Sequence, residues 1–335
     1  MKKYLISENG NFYKANLHCH TNLSDGRMTP EEVKELYKQH GYSIVAYTDH
    51  DVFVLHPELC DETFLALNGF EVETNRHTSN VFEELKTCHI CAIALEETTE
   101  IQPCFHRTEY CWGNALETRK RVKFDESEPD FVRQYSGECM TKMMTTFREK
   151  GFFVTYNHPT WSLETYEDYM GYDGMHAMEI VNFGCVHAGY EDRNGRVYDD
   201  MLRGGKKLYC IAADDNHDLG SSCGGYTMIK ADKLEYRTIT KALEDGNFYC
   251  SECGPDILEL YMEGDTLHVK TTEAREIYLS RGIRRTHIVS DESCKLTSAS
   301  FKIFPNDIYF RVIVVGKDGK CSYTNAYYVK DVLGE

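Results

Sequence analysis

Short apolar runs alternate with amphipathic stretches through roughly the first 250 residues, and this alternation predicts strands separated by helices. Ser43–Tyr47 and Phe152–Tyr156 are continuous apolar runs of strand length, as expected for buried strands. Cys139–Lys150 and Leu234–Glu244 carry apolar residues at helical spacing instead, and each is followed by a glycine that ends the pattern. Strands that alternate with helices in this order predict an α/β fold.

One complete strand–helix–strand unit is visible in Asn16–Asp51. If Lys14–His20 is a strand, side-chain alternation places His18 and His20 on the same face. Thr29 is then a helix N-cap and Pro30 the first helical residue, and an apolar stripe follows them. The unit ends on a buried strand with His50 just past its carboxyl end, which is where α/β folds place their sites.

The pattern changes near Gly254. Beyond it, apolar and polar residues alternate with the period of a strand, and Lys317–Lys320 between two such runs indicates a hairpin. No helix of useful length is predicted there. We therefore expect two domains, a catalytic domain in residues 1–253 and a small antiparallel β-sandwich in residues 254–335.

Charge and length restrict the classes of partner. The chain has 335 residues and a formal net charge of −17, which argues against a nucleic-acid polymer or an anionic membrane as the main partner. Bound divalent cations would reverse the local sign, so a small phosphorylated substrate stays possible. No apolar run approaches the ~20 residues that span a bilayer, and we expect a cytoplasmic protein of unknown oligomeric state.

Polar side chains collect at the ends of the predicted strands. His18-x-His20 can chelate one divalent ion, and the turn Ser24-Asp25-Gly26 can add a carboxylate beside it. Imidazole and carboxylate donors suit zinc, manganese or iron, and nine donors are too many for one ion, so two or three ions are expected. The predicted ligands are His18, His20, Asp25, His50, Glu71, His89, His158, Asp215 and His217.

These motifs resemble those of the polymerase and histidinol phosphatase (PHP) superfamily. The resemblance covers about residues 14–253 and is most specific in its first 40 residues. It is carried by His18-x-His20, Ser24-Asp25-Gly26-x-x-x-Pro30, Thr48-Asp49-His50-Asp51, Gly69-x-Glu71, His89, Asn157-His158-Pro159 and Asp215-x-His217. It implies a distorted (β/α)7 barrel, similar to a TIM barrel, with metal ions at the C-terminal mouth of the strands and a C-terminal β domain.

The resemblance also implies how the ligands divide into a trinuclear site. His18, His20, Glu71 and Asp215 would hold one ion. Glu71 would bridge to a second ion held by His89 and His158. A third ion would be held by Asp25, His50 and His217.

The activity implied by this resemblance is hydrolysis of a small phosphate monoester or diester by a metal-bridging hydroxide. We consider Asp51 and His187 as acids that protonate the leaving group. Asn157, Trp161 and Arg193 are candidates for residues that shape the pocket. Hydrolysis of a carboxyl or carbamate ester with the same metal ions is the alternative activity. A metal-binding regulatory module without catalysis is the alternative of another class.

Overall fold

The computed structural model describes residues 2–81 and 85–334. In the first 253 residues its helices are α1 (Pro30–Gln39), α2 (Ala115–Thr118), α3 (Gly137–Glu149), α4 (Tyr166–Met170), α5 (Phe183–His187), α6 (Gly195–Arg203) and α7 (Tyr236–Glu244). The strands are β1 (Lys2–Tyr4), β2 (Asn11–Asn16), β3 (Ile44–Tyr47), β4 (Leu65–Asn75), β5 (Thr87–Ala94), β6 (Phe152–Tyr156), β7 (Ala177–Asn182), β8 (Tyr209–Ala213), β9 (Tyr226–Ala231) and β10 (Phe248–Ser251).

The C-terminal part is built mainly of strands. These are β11 (Ile257–Glu263), β12 (Thr266–Ala274), β13 (Glu276–Arg281), β14 (His287–Ser290), β15 (Leu296–Lys302), β16 (Tyr309–Val315), β17 (Cys321–Thr324) and β18 (Tyr327–Tyr328), followed by helix α8 (Val329–Leu333). The predicted hairpin at residues 317–320 joins β16 to β17, which are antiparallel.

A large mixed sheet is the centre of the molecule. It runs in the order β14-β13-β16-β17-β10-β9-β2-β3-β4-β5-β6-β7-β8. The pairs β2·β3, β3·β4, β6·β7 and β7·β8 are parallel, whereas β4·β5, β5·β6 and β2·β9 are antiparallel. The predicted α/β class is therefore confirmed at the level of a mixed fold with a large sheet and few long helices.

A regular (β/α)7 barrel is not what the described strands form. Strand β5 runs antiparallel to both of its neighbours, and no backbone ladder joins β8 to β9 in the described residues. The Thr227 hydroxyl donates to the carbonyl oxygen of Ala212 at 3.1 Å, so these two strands touch without closing the sheet. The connection from β4 to β5, residues 76–86, is shorter than the dozen or more residues that a parallel crossover needs, which accounts for the antiparallel direction of β5 relative to β4.

Local sequence accounts for the elements next to the site. Thr29 and Glu32 form a capping box at the start of α1, and each side chain accepts a hydrogen bond from the backbone N–H of the other residue. Strand β3 is buried along its whole length, which explains why it contains only apolar residues and Tyr47. The predicted strand Lys14–His20 ends earlier, at Asn16, and His18 and His20 follow it in an irregular segment.

Two sheets face each other in the C-terminal part. Strands β1, β11, β12 and β15 form a separate sheet, whose apolar side packs against that of β13 and β16 in one core that includes Leu260, Val269, Leu279 and Val312. Strand β17 pairs with β10, so hydrogen bonding continues from the large sheet across residue 253. The division at residues 253 and 254 stays a prediction, and residues 1, 82–84 and 335 of the predicted domains lie outside the described residues.

Residues 97–136 form a mostly irregular layer over one side of the sheet. The layer contains α2 and a small apolar cluster in which Val52 and Val54 pack with Phe105, Ala115 and Val122. It brings Trp112 near the ends of the central strands. None of the helices in residues 2–81 and 85–334 is long and apolar enough to cross a membrane.

Candidate metal centre

The nine predicted ligands converge at one edge of the large sheet. Most follow a strand at its carboxyl end, but β5 runs in the opposite direction and contributes His89 from its beginning. Each of the nine has a ring nitrogen or a carboxylate oxygen within 4.0 Å of such an atom of another member of the set. Residues separated by up to about 200 positions in the sequence are thereby brought into one cluster.

His18, His20, Glu71 and Asp215 form the centre of this cluster. His18 Nε2 lies 3.2 Å from both Glu71 Oε1 and Asp215 Oδ1. His20 Nε2 lies 3.1 Å from Asp215 Oδ1 and 3.0 Å from His18 Nε2. One donor atom from each of the four residues lies within 4.8 Å of the others, a separation that one ion can span.

A second group shares His20 with the first. The second ring nitrogen of His20, Nδ1, lies 3.6 Å from Asp25 Oδ1. His217 Nε2 lies 3.0 Å from Asp25 Oδ2. His50 Nε2 lies 4.0 Å from the same Asp25 oxygen. The structure therefore brings Asp25, His50 and His217 together as the sequence indicates, and adds His20 to them.

Glu71 connects the remaining histidines to the centre. His89 Nδ1 lies 3.3 Å and His158 Nε2 lies 3.4 Å from Glu71 Oε1, and His50 Nδ1 lies 3.4 Å from Glu71 Oε2. Asn157 fixes this carboxylate by donating a hydrogen bond from Nδ2 to Oε1 at 2.9 Å. Glu71 thus directs Oε1 toward His18, His89 and His158 and Oε2 toward His20 and His50.

Glu179, on β7, is a residue of the centre that sequence reasoning missed. Its Oε1 lies 2.7 Å from His18 Nδ1, and its Oε2 accepts hydrogen bonds from the His158 backbone N–H and from Asn182 Nδ2, both at 2.9 Å. The side chain is fully buried. Nothing in the apolar run around it marks this glutamate, whose only sequence signal is a charge within a buried strand.

Buried hydrogen bonds hold the loop that carries the first ligands. Asp49 accepts from the Thr21 backbone N–H at 2.8 Å and from the Ser24 hydroxyl at 2.7 Å. A Cβ atom at Gly26 would lie 2.5 Å from the His20 carbonyl oxygen, so only glycine fits this close approach. Asp215 has a φ of 50°, a conformation that non-glycine residues rarely adopt and that is often found at functional sites.

The electrostatics of the cluster keep its carboxylates ionised. Although burial acts to raise them, the pKa values of Glu71 and Asp215 are well below their usual range because of the facing His18. Burial and the neighbouring His20 lower the pKa of His50 to about 3, so that this imidazole is neutral at physiological pH. Asp215 and Glu71 instead raise the pKa of His18 and of His20 well above the usual range, and that of His158 to about 9, although burial acts to lower all three. Metal ions bind deprotonated imidazoles, so a cation bound here would replace those protons.

The arrangement of donors and acceptors fits a divalent cation. When His18 Nδ1 donates to Glu179, a neutral His18 presents a lone pair at Nε2, and the groups facing that atom are also acceptors. His20 Nδ1, His50 Nδ1, Glu71 Oε2 and both ring nitrogens of His89 have no hydrogen-bond partner among the described residues, although all are buried. Cations bound between these lone pairs would satisfy them together.

Two predicted acids occupy different positions. Asp51 is buried behind the cluster, where its carboxylate pairs with Arg133, whose Nη1 lies 3.1 Å from Asp51 Oδ2. The structure does not place Asp51 on the wall of the open cavity. His187, at the end of α5, does line that cavity and is exposed.

A cavity of about 410 Å³ opens directly onto the cluster. Its walls include the ligands Asp25, His50, Glu71, His89, His158, Asp215 and His217. Trp112 and Trp161 stand on the same walls, 5.5 Å from the His50 ring and 5.0 Å from the His158 ring between centroids. Its volume is that of a small-molecule site.

No protein-family model matches the chain, and no curated protein matches it. Solved structures are similar to it. One, from Bacteroides vulgatus ATCC 8482, is a two-domain protein described as containing a predicted PHP-like metal-dependent phosphoesterase. It is 15% identical, the match covers 97% of this chain and 98% of that one, and the TM-score is 0.44.

Two further structures cover most of their own chains. A candidate metal-dependent phosphoesterase from Bifidobacterium adolescentis ATCC 15703 is 16% identical over 64% of this chain and 92% of that one, with a TM-score of 0.40. An amidohydrolase from Chromobacterium violaceum, described with bound sulfate and no metal, is 18% identical over 70% and 96%, with a TM-score of 0.39. The function of this chain is therefore inferred from its own residues.

Proposed function

We propose that this chain is a metal-dependent hydrolase of the PHP superfamily that cleaves a small phosphate ester. The observation that carries the proposal is the buried cluster of imidazoles and carboxylates, with unsatisfied lone pairs, at the bottom of an open cavity. The motif resemblance supports the same reaction. We further propose that the central strands are an open variant of the PHP barrel and that residues 254–335 are a separate β domain.

The proposed ligands divide among two or three ions of zinc, manganese or iron. His18, His20, Glu71 and Asp215 would hold the first ion. His89 and His158 would share Glu71 around a second, and Asp25, His50 and His217 would hold a third. Divalent ions in such a site supply Lewis acidity toward phosphoryl oxygens and activate water at neutral pH.

The residues of this chain bind and orient the ester. Glu179 holds the His18 ring through Nδ1, so that Nε2 is directed into the cluster. The Trp112 ring packs against the His50 ring, and the Trp161 ring packs against the His89 ring. His187 is the acid that we propose for the leaving group, because it lies on the cavity wall, whereas Asp51 is buried against Arg133.

Replacement of central ligands tests this function directly. We expect His18→Ala and Asp215→Ala to lower metal-dependent turnover of p-nitrophenyl phosphate and bis-p-nitrophenyl phosphate at least ~100-fold, because each removes a ligand of the first ion. Circular dichroism and size-exclusion chromatography check that the variants are folded. His268→Ala, on β12 in the C-terminal sheet, is the matched control and should keep full activity. Full activity in both site variants would contradict the proposal.

The same assays separate the alternatives. p-Nitrophenyl acetate tested with added manganese or zinc would be the preferred substrate if the chain hydrolyses carboxyl esters. A chain that binds ions stoichiometrically but hydrolyses none of these esters would favour a regulatory module.

A further inference from the structure

Both tryptophans of the chain stand at the same cavity. The 335 residues include two tryptophans, Trp112 in the irregular layer and Trp161 in the loop after β6, and both line the cavity over the cluster. Trp112 keeps 46% of its surface exposed. The Trp161 ring lies 5.4 Å from the His89 ring, and its backbone N–H donates to Asp192 Oδ2 at 2.6 Å. Each of these two partly exposed indoles offers a flat apolar surface beside a polar centre.

The cavity carries mainly negative charge on its walls. Five carboxylates line it, those of Asp25, Glu71, Glu73, Asp215 and Asp218, and none of the described lining residues is lysine or arginine. Arg27, the nearest cationic partner of Asp218 at 3.8 Å, is an exposed residue outside the lining. Glu73 and Asp218 line the cavity but are not among the proposed ligands, so the proposed metal ions would not bind their carboxylates directly.

We infer that the substrate is a singly charged phosphodiester that has a flat aromatic group, which packs on Trp112 and Trp161. This inference rests on the proposed phosphoesterase function and names its substrate class. A phosphate monoester has a second negative charge that neither lysine nor arginine on the walls would neutralise, and Glu73 and Asp218 would repel it. A diester has one charge and a second organic group, and the indoles provide the surface for that group.

The reaction of this substrate is a hydrolysis that balances without another reactant. Water adds to phosphorus, the bond from phosphorus to one ester oxygen breaks, and the leaving alcohol takes a proton. The product is a monoester with one more negative charge. Glu73 and Asp218, which are not proposed ligands, would repel this product more strongly than the substrate.

Three substrates with the same leaving group separate the two parts of the inference. They are p-nitrophenyl phosphate, methyl p-nitrophenyl phosphate and bis-p-nitrophenyl phosphate, which differ in charge and in the second aromatic group. In the wild-type enzyme with zinc or manganese we expect both diesters to have higher kcat/KM than the monoester. A monoester preferred about tenfold or more would overturn the inference.

Tryptophan variants test the aromatic contact. For Trp112→Ala and Trp161→Ala we expect KM for bis-p-nitrophenyl phosphate to rise about tenfold, with little change in kcat or in either constant for the methyl ester. Trp112→Phe and Trp161→Phe should retain most of the affinity, because a smaller ring keeps a flat surface. Each ester is compared between the wild type and the variant, so the different intrinsic reactivities of the two esters do not affect the result. Equal losses for both diesters in the alanine variants would contradict the aromatic contact.

Glu73→Gln tests the charge. Removal of this carboxylate should lower KM for p-nitrophenyl phosphate by about fivefold and change KM for methyl p-nitrophenyl phosphate less, since the second charge is repelled most. An equal effect on both substrates would contradict the role of charge.

Fluorescence gives a readout that needs no turnover. Because both tryptophans line the cavity, diphenyl phosphate added to the zinc-loaded protein should change the intrinsic emission, whereas inorganic phosphate should change it less. Absence of any change with diphenyl phosphate would overturn the aromatic part. If no phosphate ester is hydrolysed, the proposed phosphoesterase function is wrong, and the fluorescence measurement still tests whether the cavity binds an aromatic group. If a phosphate monoester is hydrolysed in preference to the diesters, the proposed function stands and only the inferred diester substrate is wrong.

Discussion

At the scale of single residues, the centre depends on groups that hold ligands as well as on the ligands. Glu179 makes one contact to the His18 ring and one to the His158 backbone, and Asp49 fixes the loop between His20 and Asp25. The ligands themselves could be predicted, because histidine pairs and acidic turns after apolar runs are rare patterns. Glu179 could not, since a glutamate in a buried strand obtains its role from residues far away in the sequence.

Glu179→Gln should weaken metal binding without removing a proposed ligand of any ion. Glutamine keeps the shape but no longer stabilises the His18 ring with a negative charge, and we expect a loss of about 10- to 100-fold in metal affinity. Zinc titration of chelator-treated protein against a competing indicator measures it. Glu179→Asp, which keeps the charge at a shorter reach, should recover part of the affinity. Unchanged zinc affinity in Glu179→Gln would mean that the carboxylate only fills space.

Glu164 gives the fold a pH dependence that can be assigned to one residue. It accepts hydrogen bonds from the hydroxyls of Tyr156, Tyr172 and Tyr135. Burial raises its pKa from the usual 4.5 to about 7, although the tyrosine hydrogen bonds act to lower it. The folded state therefore binds this proton more tightly than the unfolded state. The resulting stabilisation is complete below about pH 4.5 and is lost as the pH rises through about 7.

Denaturation of Glu164→Gln at two pH values measures this contribution. Between pH 5 and pH 8 the wild type should lose roughly 2–3 kcal/mol of unfolding free energy more than the variant, because glutamine does not titrate. Guanidinium unfolding of both proteins after chelator treatment gives the two differences. Parallel pH profiles would show that Glu164 titrates alike in the folded and unfolded states.

At the scale of elements, the direction of β5 decides how His89 arrives at the site. An apolar run buried on both faces is typical of a parallel strand, and the sequence around His89 shows no feature that distinguishes the two directions. The ladders to β4 and β6 make it antiparallel. The existence of most strands was therefore predictable. The departure from a regular barrel was not, because strand direction is set by connections and by pairing between distant residues.

A buried ion pair helps to hold the irregular layer of residues 97–136 beside the site, together with the apolar cluster around Val52. Arg133 pairs with Asp51 and donates to the Glu73 carbonyl oxygen at 2.8 Å, with 3% of its side chain exposed. We expect Arg133→Ala to lower the unfolding free energy by roughly 3–5 kcal/mol, because the Asp51 carboxylate would stay buried without a partner. Arg196→Ala, which removes an exposed ion pair with Asp200, should lower the unfolding free energy far less, because water screens this pair.

The same ion pair distinguishes two roles for Asp51. If Asp51 acted as the general acid, Asp51→Asn would reduce turnover in the fraction that is folded. We expect the opposite, a loss of stability with turnover retained in the fraction that is folded. Urea unfolding and steady-state kinetics of the same preparation separate the two outcomes.

At the scale of the whole molecule, one sheet connects the centre with the C-terminal part. Strand β17 pairs with β10, and Arg311 on β16 contacts Asp199 on α6 through two hydrogen bonds of 3.0 Å. The change of sequence pattern near Gly254 predicts the β-rich texture of this part. Its continuity with the large sheet was not predictable, because no local pattern shows which strands meet at an edge.

The metal content of the purified protein tests whether the buried cluster binds divalent ions. We expect two or three ions of zinc, manganese or iron per chain in protein purified without chelator, measured by inductively coupled plasma mass spectrometry. We expect at least one ion fewer in Asp215→Ala and no loss in His268→Ala, whose side chain lies in the C-terminal sheet. Less than one ion per chain in the wild type, or equal metal content in wild type and Asp215→Ala, would contradict metal binding by this cluster.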